Sequence, residues 1–433
     1  MSGVFQSELR RFAVAGLVCL ASCGPTDGAS EHEEEHVSRE AQALTEGAPL
    51  SVHDASCLQL VDQNTWSTYA SYLTAVPNAR SLSDVLLDLN RAGPVLTSLN
   101  HPPATGYKGG FRWNDGDMAT TEWIPQGMTA GVSGGKNVVM VSWHYGLSPD
   151  KGVRVSVADV TDMSGTAVNY RHLLLVRPTA SGNFTTVPEH GGGLTWFGDY
   201  LFMADTGDGI RVFDLTQIRE VDTSAACEAT IGKTATASGT VWCAYGYKYV
   251  LPQVSAYVVP LSITSPCRPT FSFLGKDTRG SVDVILSGEY CNNGSTPCPY
   301  DGTTPGLGGR LYRWPLDSTT SRLKAVGGVV KPEKAYVMNE PNVQGVAPIM
   351  TTTSTTSYWL SSTRSSGALY KVSTTSSRTA YRATDAKWAL MPEGMHATAS
   401  GTNLWTVTEG VNGITNPATG GRVVFFVDQA SVD

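Results

Sequence analysis

The sequence predicts an all-β protein, and within that class a five-bladed β-propeller preceded by a short helical segment. Three observations carry this expectation. Only 16% of the 433 residues are charged while 45 are glycine, which suits short strands and many turns better than long solvated helices. A hydrophobic strand, a turn and a second strand opened by glycine recur five times. A further glycine-marked strand start stands upstream of four of those recurrences.

The chain opens on an address. Arg10 and Arg11 precede the apolar run Phe12 to Leu20, too short for the roughly 20 residues that span a bilayer, so residues 1–22 read as a secretory signal peptide. The run ends Leu20, Ala21, Ser22, Cys23, which resembles the bacterial lipobox. That resemblance implies lipidation at Cys23, with palmitate among the acyl chains, and membrane anchoring through lipid. Gly24 stands where an Asp would favour the inner membrane, so the implied location is the cell outer membrane or cell surface. Residues 23–49 carry seven acids against one arginine and few large apolar groups, and are expected to form a disordered acidic tether. His32 to His36 matches H-E-x-x-H, but a tether offers no helix to set both imidazoles on one face, so no zinc protease is expected.

The whole chain carries −7, and the body beyond the tether about −2, so no excess of cations exists for a phosphate backbone. Nucleic acid is not an expected partner. Residues 50–105 do not fit the repeat. Trp66, Tyr69, Tyr72 and Leu73 recur at helical spacing, as do Leu82, Val85, Leu86 and Leu89, which predicts two short helices packed on the ring.

Residues 106–433 hold the repeat. Its strand pairs are residues 137–146 with 151–159, 199–209 with 210–215, 281–290 with 309–317, 357–364 with 367–373, and 403–410 with 421–428. The opening glycines, 152, 209, 309, 367 and 421, are separated by 57, 100, 58 and 54 residues. The long interval contains residues 220–269 with three cysteines, and reads as a stapled insertion. Strand starts at Gly127, Gly191 to Gly193, Gly345 and Gly394, and fourth strands at Arg171, Lys248 and Lys334, complete units of about four strands. That period is the signature of a propeller; five blades are expected, six being the alternative. The last unit lacks a fourth strand, which residues 107–113 would supply, joining the two ends of the chain.

Six cysteines remain in the body, an even number in an exported chain, which predicts three disulfides. Count alone leaves connectivity open; sequence proximity favours Cys291 with Cys298 and Cys227 with Cys243, leaving Cys57 with Cys267. The strings Trp123 to Thr129, His190 to Leu201 and Ala204 to Leu215 resemble W-x-P-Q-G-[IVM]-T, H-x-G-G-[IL]-x-W-x-G-x-Y-L and A-D-T-G-x-G-[IF]-R-V-F-D of exported bacterial and fungal β-propeller proteins of unassigned function. The resemblance runs from about residue 105 to the end, and implies fold and export without implying a reaction.

In a propeller the loops entering each innermost strand share one face with those between the second and third strands. The first set holds Gln126, Glu189, His190, Gln344, Glu393 and His396; the second holds His144, Tyr145, Asp205, Glu289, Tyr290, Arg364 and Glu409. Gln126, His144, His190, Glu289, Gln344, Glu393 and His396 are the binding candidates at this channel face. Such polar strand-start residues also tie blades together, and Asp205 and Gln344 read best as structural. Glu393 and His396, three apart in a strand, should face opposite ways unless the strand bends. Gly131 to Gly135 matches the hydrolase elbow G-x-S-x-G, but a strand rather than a helix follows, so Ser133 is no nucleophile.

No cofactor fingerprint is present, although a ring of carboxylates and imidazoles is compatible with a divalent cation such as calcium in the channel. The expected function is a surface-anchored recognition module for a glycan, peptide or partner protein. The alternative is an exported hydrolase or lyase, metal-assisted or not, with its site at the same mouth.

Overall fold

The computed structural model describes residues 48–99, 106–237, 239–292, 309–352, 354–376, 379–382, 388–410 and 421–432. The signal peptide, Cys23, nearly all of the tether and Cys298 lie outside the described residues. The body is all-β, as the composition predicts, with antiparallel strands in five groups that follow one another along the chain.

The first group runs Trp123–Ser133, Lys136–Tyr145, Val153–Asp159 and Ala167–Thr179. Leu194–Phe197, Tyr200–Asp205, Gly209–Asp214 and Tyr249–Val258 form the second. The third is Phe273–Asp277, Val284–Gly288, Arg310–Pro315 and Lys334–Val337, and the fourth Val343–Pro348, Ser357–Ser362, Ala368–Ser373 and Thr379–Arg382. In the fifth, Pro392–Ala397, Asn403–Thr408 and Val423–Asp428 are completed by Tyr107–Arg112, with Val424 opposite Phe111 and Val427 opposite Tyr107. The start and the end of residues 106–433 therefore meet within one sheet.

The sequence shows continuous apolar runs because these strands are covered on both faces. Val138 to Trp143 is buried without interruption. The apolar interior is divided into five clusters, each lying between neighbouring groups. Trp196 with Val155 joins first and second, Phe202 with Trp314 second and third, Leu286 with Tyr358 third and fourth, Trp359 with Phe425 fourth and fifth, and Val424 with Trp143 fifth and first.

The first strands of the groups also touch in sequence. A Cβ added at Gly127 would fall under 3.0 Å from Gly193 and Leu194; at Gly193, from Phe273 and Leu274; at Gly275, from Val346; at Gly345, from Glu393; and at Gly394, from Gly127 and Met128. Only a residue without a side chain permits that approach. The first strand of the third group, Phe273–Asp277, carries no sequence marker as strong as the others, yet Gly275 plays the same part.

Residues 220–248 are an insertion between third and fourth strands of the second group, built on the hairpin Ile231–Thr236 with Gly239–Ala244 and stapled by Cys227–Cys243. Cys57–Cys267 pins the N-terminal segment, and Cys291 is disulfide-bonded as well. The two expected helices are present as Trp66–Leu73 and Leu82–Leu86, the second started by a reciprocal Ser81–Asp84 capping box. The same segment contributes strands that the helical spacing did not announce. Ser51–His53 extends the third group, Leu60–Asp62 pairs with the second, and Arg91–Leu96 bridges Ala167–Thr179 and Tyr107–Arg112. These are two- to four-pair edge additions, fixed by the partner strand rather than by local propensity. Among the described residues no helix is long and apolar enough to cross a membrane.

Candidate functional site

Three first strands share an irregularity at one end. Their pairing register slips between Pro125 and Met128, between Val343 and Gly345, and between Pro392 and Met395. The residues held in those slips are Gln126, Gln344 and Glu393. A bulge takes a side chain out of ladder alternation and re-aims it, so the sequence places a polar group and then a glycine where the strand must bend.

The bend brings Gln344 to Glu393, with Nε2 donating to Oε1 at 3.2 Å. Glu393 is only 1% exposed, and burial, reinforced by the neighbouring Glu409 carboxylate, holds its pKa well above the usual range. Burial thus favours the protonated form of Glu393, which hydrogen-bonds to Glu409. Arg422 lies beside this pair, its Nε donating to the Glu409 carbonyl at 3.0 Å and its Nη1 to the Asp117 and Thr120 carbonyls.

His144, at the end of the second strand of the first group, stacks on His190 with ring centroids 4.3 Å apart and planes 29° from parallel. Burial first, then His190 and the Arg422 charge, lower the His144 pKa to about 4. His190 is exposed, and the partial desolvation it still suffers lowers its pKa too. Both imidazoles are neutral at pH 7. The buried Nδ1 of His144 has no hydrogen-bond partner among the described residues. Gln344, Glu393, Glu409, Arg422, His144 and His190 therefore gather at one end of the first strands, drawn from four of the five groups.

Other candidates go elsewhere. Gln126 is buried at its bulge. Glu289 is fully buried and accepts from Arg310 N at 3.0 Å, Arg310 Nε at 3.0 Å, Arg310 Nη2 at 2.7 Å, Tyr312 Oη at 2.6 Å and Thr270 N at 3.2 Å. Every lone pair is spoken for, so it is a clamp within the third group and not a ligand-facing acid. His396 lies near the opposite end of the strand that Glu393 begins. It lines a cavity of about 440 Å³ with Lys276, Met350 and Trp405, and burial, with Lys276 nearby, lowers its pKa to about 3. The slip between Pro392 and Met395 does not reunite the two side chains. Asp205 and Glu189 share Arg211 at 2.7 and 2.6 Å; burial and Asp205 push the Glu189 pKa up to about 7.

Two arrangements resemble nucleophile sites and are not. Ser133 opens a two-residue hairpin turn whose Gly134 and Gly135 have φ of 56° and 78°. Ser156, His172 and Asp117 form a relay, with Ser156 Oγ 2.9 Å from His172 Nδ1 and His172 Nε2 3.0 Å from Asp117 Oδ2. Trp143, Tyr170 and Arg154 also bond into it, and Ser156 is fully buried, so the relay is an internal brace. Among the described residues no three His, Cys, Asp or Glu side chains are placed to hold a metal ion, so the calcium expectation has no ligand set there.

The arginines were missed in the sequence. Arg154, Arg211, Arg310 and Arg422 each follow the opening glycine of a third strand by one or two positions. Three of them clasp carboxylates, at Asp117, Asp205 with Glu189, and Glu289. The Gly-Arg or Gly-x-Arg spacing was the available signal.

No family model matches the chain, and no curated protein matches it. Among solved structures it is similar to the Dos1 propeller, at 12% identity over 66% of this chain and 69% of that one, with a TM-score of 0.24. It is also similar to the parainfluenza virus 5 hemagglutinin-neuraminidase ectodomain, at 8% identity over 92% and 94% of the two chains, with a TM-score of 0.26. Likeness at this level carries no argument about activity.

Proposed function

We propose that the body is a five-bladed β-propeller, exported and lipid-anchored through Cys23 at the outer membrane or cell surface, and that the end carrying Gln344, Glu393, His144 and His190 recognises a glycan. The five-membered cycle of glycine contacts and inter-group cores supports the blade count. The observation that carries the ligand class is the charge state of the mouth. Burial biases its acid Glu393 toward the protonated form and its imidazoles toward the neutral form, and the His144 Nδ1 has no hydrogen-bond partner among the described residues. With the Arg422 guanidinium engaged by the Glu409, Asp117 and Thr120 carbonyls, the donors and acceptors beside it suit a hydroxyl-rich neutral ligand better than an ion.

Titration of the purified body against a glycan array tests this. His190→Ala and Glu393→Gln should each weaken binding about tenfold or more, as loss of a hydrogen bond in a desolvated site does, while the melting temperature stays within a few degrees. Unchanged binding with lowered stability in both variants would make them blade ties instead.

One observation favours the alternative of a hydrolase or lyase. A carboxylic acid kept protonated beside a second carboxyl is the equipment of a general acid. Cleavage of a bound glycan by the wild-type protein, abolished in Glu393→Gln, would decide for it. The anchor has its own test. Cys23→Ala should abolish incorporation of labelled palmitate and release the protein from membranes, and equal labelling of both proteins would end the lipoprotein reading.

A further inference from the structure

The five-fold regularity is broken in two places beside the first group of strands, by the insertion 220–248 and by the N-terminal segment. Both breaks wall the same cavity, of about 460 Å³. The segment supplies Arg91, the insertion supplies Tyr245, Tyr247 and Lys248, and the first group supplies Lys151 and Arg171. Among the described residues four cations line this space and no carboxylate does.

The acids that balance them stand behind the wall. Asp88 accepts from Lys248 Nζ at 2.7 Å and lies 3.2 Å from Arg171 Nη2. Glu220 is 3.6 Å from Lys248, and Asp117, already bound by Arg154, is 3.4 Å from Arg91. With Arg154, and with Arg80 bound to Glu220 at 2.8 Å, five cations share these three acids in a body whose overall charge is slightly negative. Lys151 has no carboxylate partner among the described residues. Its ammonium sits over the Tyr145 and Tyr245 rings, 4.8 and 5.8 Å from their centroids.

The aromatic side of the cavity is held with some effort. Tyr245 has φ of 49°, a left-handed conformation that an aromatic residue rarely adopts, and Gly246 follows at 77°. Cys243, two residues earlier, is tied by its disulfide, and Tyr247 Oη lies 3.4 Å from Arg154 Nη1. An insertion that the repeat does not require thus positions two tyrosines facing a set of cations.

We infer that this cavity binds an acidic saccharide, its carboxylates met by Lys151 and Arg91 and its ring faces packed on Tyr245 and Tyr247. This site is distinct from the neutral mouth proposed above, and its chemistry is opposite: fixed positive charge rather than suppressed charge. Aromatic walls with a few placed charged groups are the ordinary composition of a small-ligand site.

Calorimetry on the mature full chain with a galacturonate oligomer, its methyl ester, inorganic sulfate and inorganic phosphate tests the inference. The acidic oligomer should bind, and weaken as salt is raised. The ester should bind at least about tenfold more weakly, as loss of charge-assisted hydrogen bonds requires. Lys151→Gln should cost a similar factor without moving the unfolding midpoint, and Tyr245→Gly, which keeps the backbone conformation and removes the ring, should weaken the oligomer more than sulfate. Equal binding of acid and ester, no binding of either, an unaffected Lys151→Gln, or sulfate or phosphate binding as tightly as the oligomer would each overturn it. His190→Ala and Glu393→Gln should leave this binding unchanged, so its failure and failure of the mouth reading are separately visible.

Discussion

A chain lacking residues 1–117 should fail to give a cooperative thermal transition near that of the full protein. Truncation removes Tyr107–Arg112, the strand that completes the fifth group, and exposes the ladder edge of Val423–Asp428. Asp117 goes too, leaving Arg154 buried without the carboxylate 2.9 Å away. A narrower version acts at one residue. A Cβ at Gly110 would stand 2.6 Å from the Val424 carbonyl and 2.7 Å from Phe425 Cβ, so Gly110→Val must force the two strands apart. Its cost should fall at the upper end of single substitutions, about 3 kcal/mol or more by urea unfolding. A truncated chain that melts like the full one would show that the two ends do not depend on each other.

Glu289→Ala should be the most damaging of the acidic substitutions, at about 3–5 kcal/mol, because it strands a fully buried Arg310 guanidinium. The loss should be independent of any ligand. Replacing both partners by apolar residues of similar volume should recover much of it, since the penalty lies in the unpaired charge rather than in the absence of the pair. A urea midpoint shifted by no more than an exposed substitution produces, about 0.5 kcal/mol, would mean that Glu289 is not the clamp its five donors make it.

The five strand pairs were readable because each is an apolar run closed by a glycine turn, and both features are local. The closing strand 107–112 was readable because one group was a strand short. Thr379–Arg382, the fourth strand of the fourth group, lies in a Thr- and Ser-rich stretch and carries almost no apolar signal; its place is set by the Ala368–Ser373 edge. Ser51–His53 and Leu60–Asp62 were invisible for the same reason. At the site, the residue types at the strand starts pointed to one end of the sheet, and His190, His144, Gln344 and Glu393 gather there. Glu289 could not be separated from them, because the arginine that consumes it follows 21 residues later in a strand whose polar members were not weighed. His396 depends on how the bulge after Pro392 resolves, and a one-residue slip in register decides which way a side chain points.

The glycine contacts have a mechanical meaning. In an open array of repeats the terminal units have one neighbour each, and unfolding begins by fraying there. Here the first strand of each group leans on the next, and the fifth leans on the first. In the proposed propeller no group is terminal, so none could peel away without opening gaps on both of its sides. Loosening one therefore costs two interfaces at once, and partly opened forms are disfavoured against both the closed and the fully unfolded chain. For a protein proposed to stand outside the cell, where proteases act on whatever opens transiently, all-or-none unfolding is itself a form of protection.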